Sequence, residues 1–319
     1  MIMSDNIILV SFFAALRVVL PMGILMLIGF ACRVKNLIDR PSMKKFDSLL
    51  FYVFMPCLLF KNIYEIDFSL EFGHQVFLFT LICLVINFFV AIIVTPKIIN
   101  DTKKAASVEQ AIVRCNYILF GVAVSEAIYG EGNIGAVILL GTLVVPAINI
   151  LSAIILEMNR SGRANPIELF IAILKNPMII GAISAFIVKG LGINIPNPIW
   201  SVIKSLSNST TTVSFISLGI GLEMVSKGEL KPLIFAVIMR MVFVPVVFLT
   251  LGVVSGFKGE ELCALMVVFA APTAVASYPM AVAMGADGEL AGQIVCVTTM
   301  LSLITIFLWV FGLGSLSLL

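Results

Sequence analysis

Ten apolar segments follow one another along the chain, at roughly 7–32, 46–64, 72–95, 111–130, 134–156, 167–188, 199–222, 232–254, 261–284 and 290–313. Each is about long enough to cross ~30 Å of hydrocarbon at a rise of ~1.5 Å per residue. No connection between them is long enough to hold a soluble domain. The sequence therefore predicts an all-α polytopic membrane protein of ten transmembrane helices, with its chemistry inside the bilayer.

Composition supports this prediction and argues against several other classes of protein. The chain is 61% hydrophobic and 12% charged, with a mean hydropathy of +1.14. A net charge of +2 without a basic patch argues against a nucleic-acid partner. Six cysteines without a CxxC or Cys/His spacing predict no metal site and no cofactor. One histidine, with no HExxH, GxSxG or GxxxxGKS/T motif, predicts no catalytic residue and disfavours a membrane enzyme.

Basic residues separate by alternate loops, which predicts the topology. One side carries only Lys61, Lys189, Lys204 and Lys258. The other carries Arg33, Lys35, Arg40, Lys44, Lys45, Lys97, Lys103, Lys104, Arg160, Arg163, Lys175, Lys227 and Lys231. By the positive-inside rule the richer side is cytoplasmic, so we expect both termini to lie outside the cytoplasm.

The two halves of the chain match each other in hydropathy. A shift of 156 residues lays spans one to five on spans six to ten without a gap, and LPMGI (Leu20–Ile24) falls on NPMII (Asn176–Ile180). Five spans per half make the halves enter the membrane from opposite sides, as in the inverted repeats of many secondary transporters. We therefore predict two five-helix repeats, 1–158 and 159–319, that form one integral membrane unit.

Spans four and nine are predicted to break within the membrane. Pro272 and Pro279 of span nine remove amide donors and free backbone carbonyls. The same shift places this stretch on residues 116–123 of span four, where Asn116 and Gly121 allow a break without proline. Two broken helices that meet would aim half-helix amino termini into one space, which suits an anion. The alternative is a pair of kinks that only shape packing.

Four stretches resemble the auxin efflux carrier family, particularly its bacterial members. They are NYILFGVAVSEAIYG (116–130), APTAVASYPMAVAMGADGELAGQIVCVTTMLSLIT (271–305), FMPCLLF (54–60) and RMVFVP (240–245). The resemblance covers the whole chain. It implies ten spans in two inverted halves, crossing broken helices 4 and 9, transport of small organic anions such as carboxylates, and a homodimer in the bacterial inner membrane.

The candidate substrate-binding residues lie around the two predicted breaks. The crossover residue Asn116 offers an amide to a carboxylate, although membrane asparagines often only join helices. The remaining candidates are Tyr117, Gly121, Pro272, Thr273, Ser277, Tyr278 and Arg240. Ser277 and Tyr278 are equally well explained as helix-packing groups.

Arg240 lies deep in span eight, where an unpaired charge costs ~3 kcal/mol or more. It has three candidate partners: an anionic substrate, Glu126, or carbonyls freed at the breaks. His74 is more simply explained as a solvated residue than as a proton-coupling group. The hydroxyl-rich span seven, SLSNSTTTVSFISLGIG (205–221), is expected to bond mostly to its own helix carbonyls.

The function predicted from these features is a secondary transporter for small organic anions. A passive channel or a non-transporting membrane sensor fits the composition equally well, and saturable flux separates a carrier from both. Coupling to protons or to sodium stays open at this point, because the sequence names no coupling ion.

Overall fold

The computed structural model of the chain describes residues 20–38, 40–65, 73–130, 135–160, 166–221 and 230–319. Within these ranges every regular element is helical, and the one β-type contact is an isolated antiparallel bridge between Cys115 and Thr273. The all-helical architecture predicted from the sequence is confirmed. Residues 7–19 of the first predicted span, together with Arg163 and Lys227 of the basic loops, lie outside the described residues.

Helices of the first half are α1 Leu20–Val34, α2 Arg40–Leu49, α3 Met55–Tyr64, α4 His74–Ile98, α5 Thr102–Val113, α6 Tyr117–Tyr129 and α7 Gly135–Arg160. Helices of the second half are α8 Pro166–Leu174, α9 Pro177–Gly190, α10 Asn197–Gly221, α11 Leu230–Ile238, α12 Val244–Val254, α13 Gly259–Ala270, α14 Ser277–Ala283 and α15 Gly288–Ser315. The π-helical segments Leu50–Phe54 and Met239–Phe243 join α2 to α3 and α11 to α12.

In the described ranges, five continuous helices are long and apolar enough to cross a membrane: Lys45–Tyr64, His74–Ile98, Gly135–Arg160, Leu230–Val254 and Gly288–Ser315. The described residues of the other predicted segments are also mostly helical, but they do not form such long apolar helices. Segment 261–284 is divided at the break expected there. Segment 111–130 is divided at 114–116 rather than over the predicted 116–123, because Gly121 continues a regular helix, and α10 is rich in hydroxyl groups.

Segment 167–188 is divided as well, which the sequence analysis did not predict. Helix α8 ends at Leu174, and α9 begins at Pro177. The side chain of Asn176 accepts a hydrogen bond of 3.0 Å from the Met178 amide and so caps α9. Proline is favoured in the first turn of a helix, and asparagine is favoured at the cap before it, so NP at this point starts a new helix.

Each π-helical segment ends two residues before a proline. In each one an amide donates to the carbonyl five residues earlier, from Met55 to Leu50 and from Val244 to Met239. Pro56 and Pro245 follow directly and have no amide to donate. The widened turn therefore accommodates the missing donor without ending the span.

Helices α5 and α13 form the centre of the bundle. All residues from Ala105 to Val113 in α5 and from Leu262 to Ala270 in α13 are buried. Both helices are covered by α7 and α15, and α4 and α12 pack against one of them each. The two helices that precede the breaks are therefore held on all sides by protein, which allows irregular backbone next to them.

Candidate functional site where two broken helices meet

The breaks in the two helices lie against each other. The first break, Arg114–Asn116, separates α5 from α6, and the second, Ala271–Ala276, separates α13 from α14. The Asn116 amide donates to the Pro272 carbonyl at 2.9 Å, and the Ala274 amide donates to the Arg114 carbonyl at 3.2 Å. Each break therefore satisfies backbone groups of the other, as buried irregular backbone requires.

Pro272 explains which carbonyls are freed in α13. An amide at position 272 would bond to the Val268 carbonyl, but proline has none, so that carbonyl needs another donor. A guanidinium nitrogen of Arg240 supplies it at 2.9 Å. In α5, which ends at Val113 without a proline, the Thr273 hydroxyl donates to the Ala111 carbonyl at 3.1 Å.

Arg240 bonds to backbone at the carboxyl ends of both broken helices. Its side chain is 1% exposed and donates to Ala271 at 2.9 and 2.6 Å, to Val268 at 2.9 Å and to Ile112 at 3.2 Å. A cation at two helix carboxyl ends also stabilises their dipoles. Of the three partners considered for Arg240, its hydrogen bonds are those expected for freed carbonyls, and Glu126 on α6 is not among its partners.

A cavity of about 240 Å³ lies on one side of the crossing. Its walls come from α3, α6, α7, α10 and the backbone of both breaks. The lining residues that carry polar side chains are Lys61, Asn62, Arg114, Asn116, Tyr117, Asn149, Ser207, Asn208 and Thr211. None of the described lining residues is Asp or Glu. The cavity therefore presents positive charge and hydrogen-bond donors without a negative charge.

Arg114 is a charged residue of the first break itself, and it was not among the predicted site residues. It is 2% exposed, and its guanidinium donates to the Asn149 side-chain oxygen at 2.6 Å and to the Met280 sulfur at 3.0 Å. No carboxylate contacts it within the described part of the chain. A buried charge without an opposite charge is costly. Its position inside predicted span 111–130, two residues before Asn116, was the signal that could have identified it.

Two further donors in the cavity are unused by the part of the protein that the structure describes. The Asn116 side-chain nitrogen and the Ser207 hydroxyl are buried and make no hydrogen bond to the described residues. The amino end of the 13-residue helix α6 also faces the cavity, because Asn116 and Tyr117 line it and the Asn116 side chain does not cap the helix. Unpaired buried donors cost free energy, so a site with several of them is suited to an acceptor-rich ligand.

The other predicted site residues lie around the crossing rather than in this cavity. Only Asn116 and Tyr117 of the predicted set line it, and the Tyr117 hydroxyl is used by the Val137 carbonyl at 3.0 Å. Gly121 packs against the Val137 side chain. Ser277 is buried, and its hydroxyl makes no hydrogen bond to the described residues, while Tyr278 lines a different cavity. Pro272 and Thr273 hold the two breaks together.

Hydroxyl groups of α10 behave mostly as predicted. Ser205, Ser209 and Ser214 donate to the carbonyl four residues earlier in their own helix, at 2.7 to 2.9 Å. Ser207 departs from this pattern and lines the cavity.

Lys61, which also lines the cavity, is already paired with Glu65 at 3.4 Å. His74 is the first residue of α4 and is exposed.

The described residues contain no group of three or more His, Cys, Asp or Glu side chains that could hold a metal ion. Together with the buried broken helices and the long apolar helices, the site defines a multi-pass membrane protein with a polar cavity at a helix crossing.

Comparison with known proteins identifies the family. A family profile described as "Membrane transport protein" matches residues 14–310, so the chain belongs to this family, and the predicted resemblance to auxin efflux carriers is confirmed. The family is one of transporters rather than of enzymes. The chain is also 26% identical over 313 residues to an uncharacterized transporter of Methanocaldococcus jannaschii, which covers 92% of this chain and 96% of that protein.

Proposed function

We propose that the protein is a secondary transporter that moves small organic anions, in the first place carboxylates, by alternating access. The observation that carries this proposal is Arg114, a buried guanidinium at the helix crossing that no carboxylate of the described protein contacts. A substrate carboxylate is the natural counter-ion for this group, since it supplies the missing negative charge.

Hydrogen-bond chemistry supports a carboxylate in particular. A carboxylate has two oxygens that accept from the fork of a guanidinium, and charge-assisted bonds of this kind are about twice as strong as neutral ones. The Asn116 amide and the Ser207 hydroxyl are the unused donors nearest in the same cavity. The amino end of α6 adds about half a positive charge. Four independent features of one cavity therefore favour an anion.

Cavity size favours a small substrate. Pockets that bury drug-sized ligands have volumes of roughly 300–1,000 Å³, whereas this cavity measures about 240 Å³. Leu58, Ile118 and Val145 add apolar surface to the polar wall. We expect compact carboxylates with a short apolar portion.

Alternating access would follow from two inverted repeats of five spans, 1–158 and 159–319. In support, a shift of 156 residues carries helix His74–Ile98 onto Leu230–Val254, and it carries α5 and α6 onto α13 and α14 to within a few residues. In this arrangement ten spans cross the membrane, the halves have opposite orientation, and one repeat rocks against the other around the crossing. We further propose a homodimer in the bacterial inner membrane, with both termini outside the cytoplasm.

The test of this function uses the purified full-length protein and a panel of acetate, lactate, malonate and succinate. Each carboxylate and its neutral amide are added, and the thermal midpoint is followed, because a ligand that binds only the folded state raises it. The carboxylate with the largest shift is then measured for uptake and for exchange in proteoliposomes. We expect a carboxylate-specific shift and saturable exchange.

Arg114→Gln is the decisive variant, and Arg160→Gln at an exposed position is its matched control. Loss of a charged hydrogen bond costs ~1.5–3 kcal/mol, so Arg114→Gln should weaken carboxylate binding roughly ten- to hundredfold. Amides that bind as well as carboxylates, or an Arg114→Gln variant that binds like the parent, would contradict the proposal. Flux that does not saturate would identify a channel instead.

A further inference from the structure

Asp47 is a buried carboxyl group that makes no ion pair with the residues whose side chains the structure describes. It lies in the membrane-length helical stretch Lys45–Tyr64 and is 1% exposed. Its one hydrogen-bond partner among the described residues is the hydroxyl of Ser217 on α10, which donates to it. No ion pair to Asp47 exists within the described part of the chain. An ionisable group in this position is expensive and is a functional candidate by default.

The carboxyl group lines a second cavity, of about 490 Å³, at a different place from the one beside Arg114. The charged or titratable groups that face this cavity from other elements are Lys103 of α5, Tyr278 of α14 and Glu289 of α15. On its own helix the neighbouring Lys45 is exposed, and the residues of α10 that line the cavity, Ile220 and Gly221, are not titratable. Lys103 and Glu289 carry opposite charges that offset each other, so together they give the cavity no large net charge.

Helix α14 lies between the two cavities. Met280 accepts the hydrogen bond from Arg114 at 3.0 Å and packs with Phe51 and Met55 in one apolar cluster. Tyr278, two residues earlier, lines the second cavity with Asp47 and rests against Gly221, one turn beyond Ser217. A displacement of α14 would therefore change the surroundings of both Arg114 and Asp47.

We propose that Asp47 is a proton-binding site that couples proton movement to transport of the carboxylate. Coupling to a transported carboxylate rests on the proposed function, whereas proton binding by Asp47 does not depend on it. When the cavity is open, water solvates the Asp47 carboxylate, and the proton is free to leave. When α14 closes it, an ionised carboxylate with one hydroxyl partner is too costly in an apolar setting, whereas a protonated one is tolerated. Closure then requires the proton, which is the condition for coupling.

Proton binding is tested without any substrate. The purified full-length protein is treated with dicyclohexylcarbodiimide, which adds to protonated carboxylic acids in apolar surroundings, and the modified peptides are identified by mass spectrometry at several pH values. We expect labelling of Asp47 that falls as pH rises. Glu289→Gln is the matched control, because it removes the other carboxyl of the cavity and should leave this labelling unchanged. Labelling absent at every pH, or abolished by sodium chloride but not by potassium chloride, would overturn the inference.

Coupling is tested with Asp47→Asn, which keeps an acceptor for Ser217 but cannot release a proton. Proteoliposomes with an inward proton gradient should accelerate uptake of the best carboxylate in the parent and in Glu289→Gln. Asp47→Asn should retain carboxylate binding and exchange but lose all acceleration by the gradient. Unchanged acceleration in Asp47→Asn overturns the coupling role while leaving the transporter function intact. A parent that neither binds nor exchanges any carboxylate instead contradicts the proposed function, and the labelling experiment then decides on Asp47 alone. If Asp47→Asn does not fold, the labelling of the parent still decides.

Discussion

The amide of Asn116 donates a hydrogen bond of 2.9 Å to the carbonyl of Pro272, so a backbone donor of the first break satisfies a backbone acceptor of the second. This bond uses the backbone of Asn116, whereas its buried side-chain nitrogen beside the cavity makes no hydrogen bond within the described ranges. The backbone of Asn116 therefore joins the two breaks, whereas its side chain is the part that a ligand would contact. A substitution of the side chain tests ligand binding and keeps the backbone hydrogen bond.

Asn116→Ala is expected to weaken carboxylate binding roughly ten- to hundredfold, because it removes a donor worth ~1.5–3 kcal/mol to a charged acceptor. Its thermal midpoint should stay close to that of the parent, since the side-chain nitrogen makes no hydrogen bond to any residue that the structure describes. Asn87→Ala is the contrasting control: the Asn87 side chain donates to the Ile112 carbonyl at 3.2 Å, away from the cavity. It should lower the thermal midpoint and leave affinity unchanged. Equal affinity of Asn116→Ala and the parent would place the substrate elsewhere.

Pro272→Ala restores an amide that competes with Arg240 for the Val268 carbonyl and lets α13 run on through the break. Transport should fall, while the thermal midpoint stays equal or rises. Pro279→Ala is the matched control, because Pro279 lies in the first turn of α14, where the amide has no helical partner to lose. Uptake assays and melting curves of both variants provide the measurement. Full transport by Pro272→Ala would show that transport does not require the break, which would then be an ordinary helix kink.

Arg240→Gln should lower expression and the thermal midpoint strongly. The parent side chain makes four hydrogen bonds to three carbonyls, and a bond to a charged donor is worth about 1.5–3 kcal/mol. Arg240→Lys should rescue only partly, since an ammonium group lacks the planar fork that reaches separate carbonyls. Carboxylate affinity of the folded fraction should be preserved. A stable variant that has lost carboxylate binding would instead make Arg240 a substrate ligand.

Chain orientation is testable with reporters fused at Leu319 and inserted after Arg160. The amide of Asp287, next to α15, donates to the Lys103 carbonyl at 3.2 Å, and at the far end of α15 the Leu318 carbonyl accepts from Gly259 at 2.8 Å. Arg160 and Lys103 line one cavity, so the two reporter sites lie at opposite ends of a 28-residue helix. Opposite-side signals are expected, with the Arg160 reporter cytoplasmic. Signals from the same side would exclude this topology.

The break in span nine was predictable from sequence, because proline has a fixed chemical effect. The shift between the halves pointed to a partner break at 116–123, but this break lies at Arg114–Asn116, and Gly121 is part of helix α6. The break at Asn176 was missed although it uses the same residue types, since an apolar run of 167–188 has the right length for one span. The Asn-Pro pair is a helix-start signal of only two residues, whereas the apolar run around it is long enough to predict a single span. The longer pattern therefore decided the prediction.

Residues of the cavity were harder to predict. Arg114 stands near the edge of an apolar segment, where a charge usually reaches water, and only the paired breaks bring it to the crossing with Asn149 of α7. Asp47 likewise stands near the start of its span, and its burial depends on Ser217, 170 residues away. Such contacts depend on tertiary packing, which hydropathy does not encode. The Arg240 hydrogen bonds were among the alternatives considered, because the freed carbonyls were expected.

Helices α1 and α10 are in close backbone contact at two glycines. A Cβ atom on Gly29 would overlap the carbonyl of Ile216, and one on Gly219 would overlap the carbonyl of Met26, so the two backbones touch reciprocally. Small residues allow such close approach in membranes, where packing rather than hydrophobicity joins helices. Gly29→Ala should destabilise the protein by about 1–3 kcal/mol through overpacking and lower the thermal midpoint in detergent.

Gly23→Ala is its internal control on the same helix, because nothing lies within 4 Å of a Cβ atom at that position. Replacing a helical glycine by alanine gains about 1 kcal/mol of helix propensity, so the midpoint of Gly23→Ala should stay equal or rise. The same chemical change is thus expected to have opposite signs at two positions six residues apart. If both variants melt at the same temperature, α1 and α10 do not pack as tightly as the structure has them, and the wall that Ser207 contributes to the cavity would need to be placed differently.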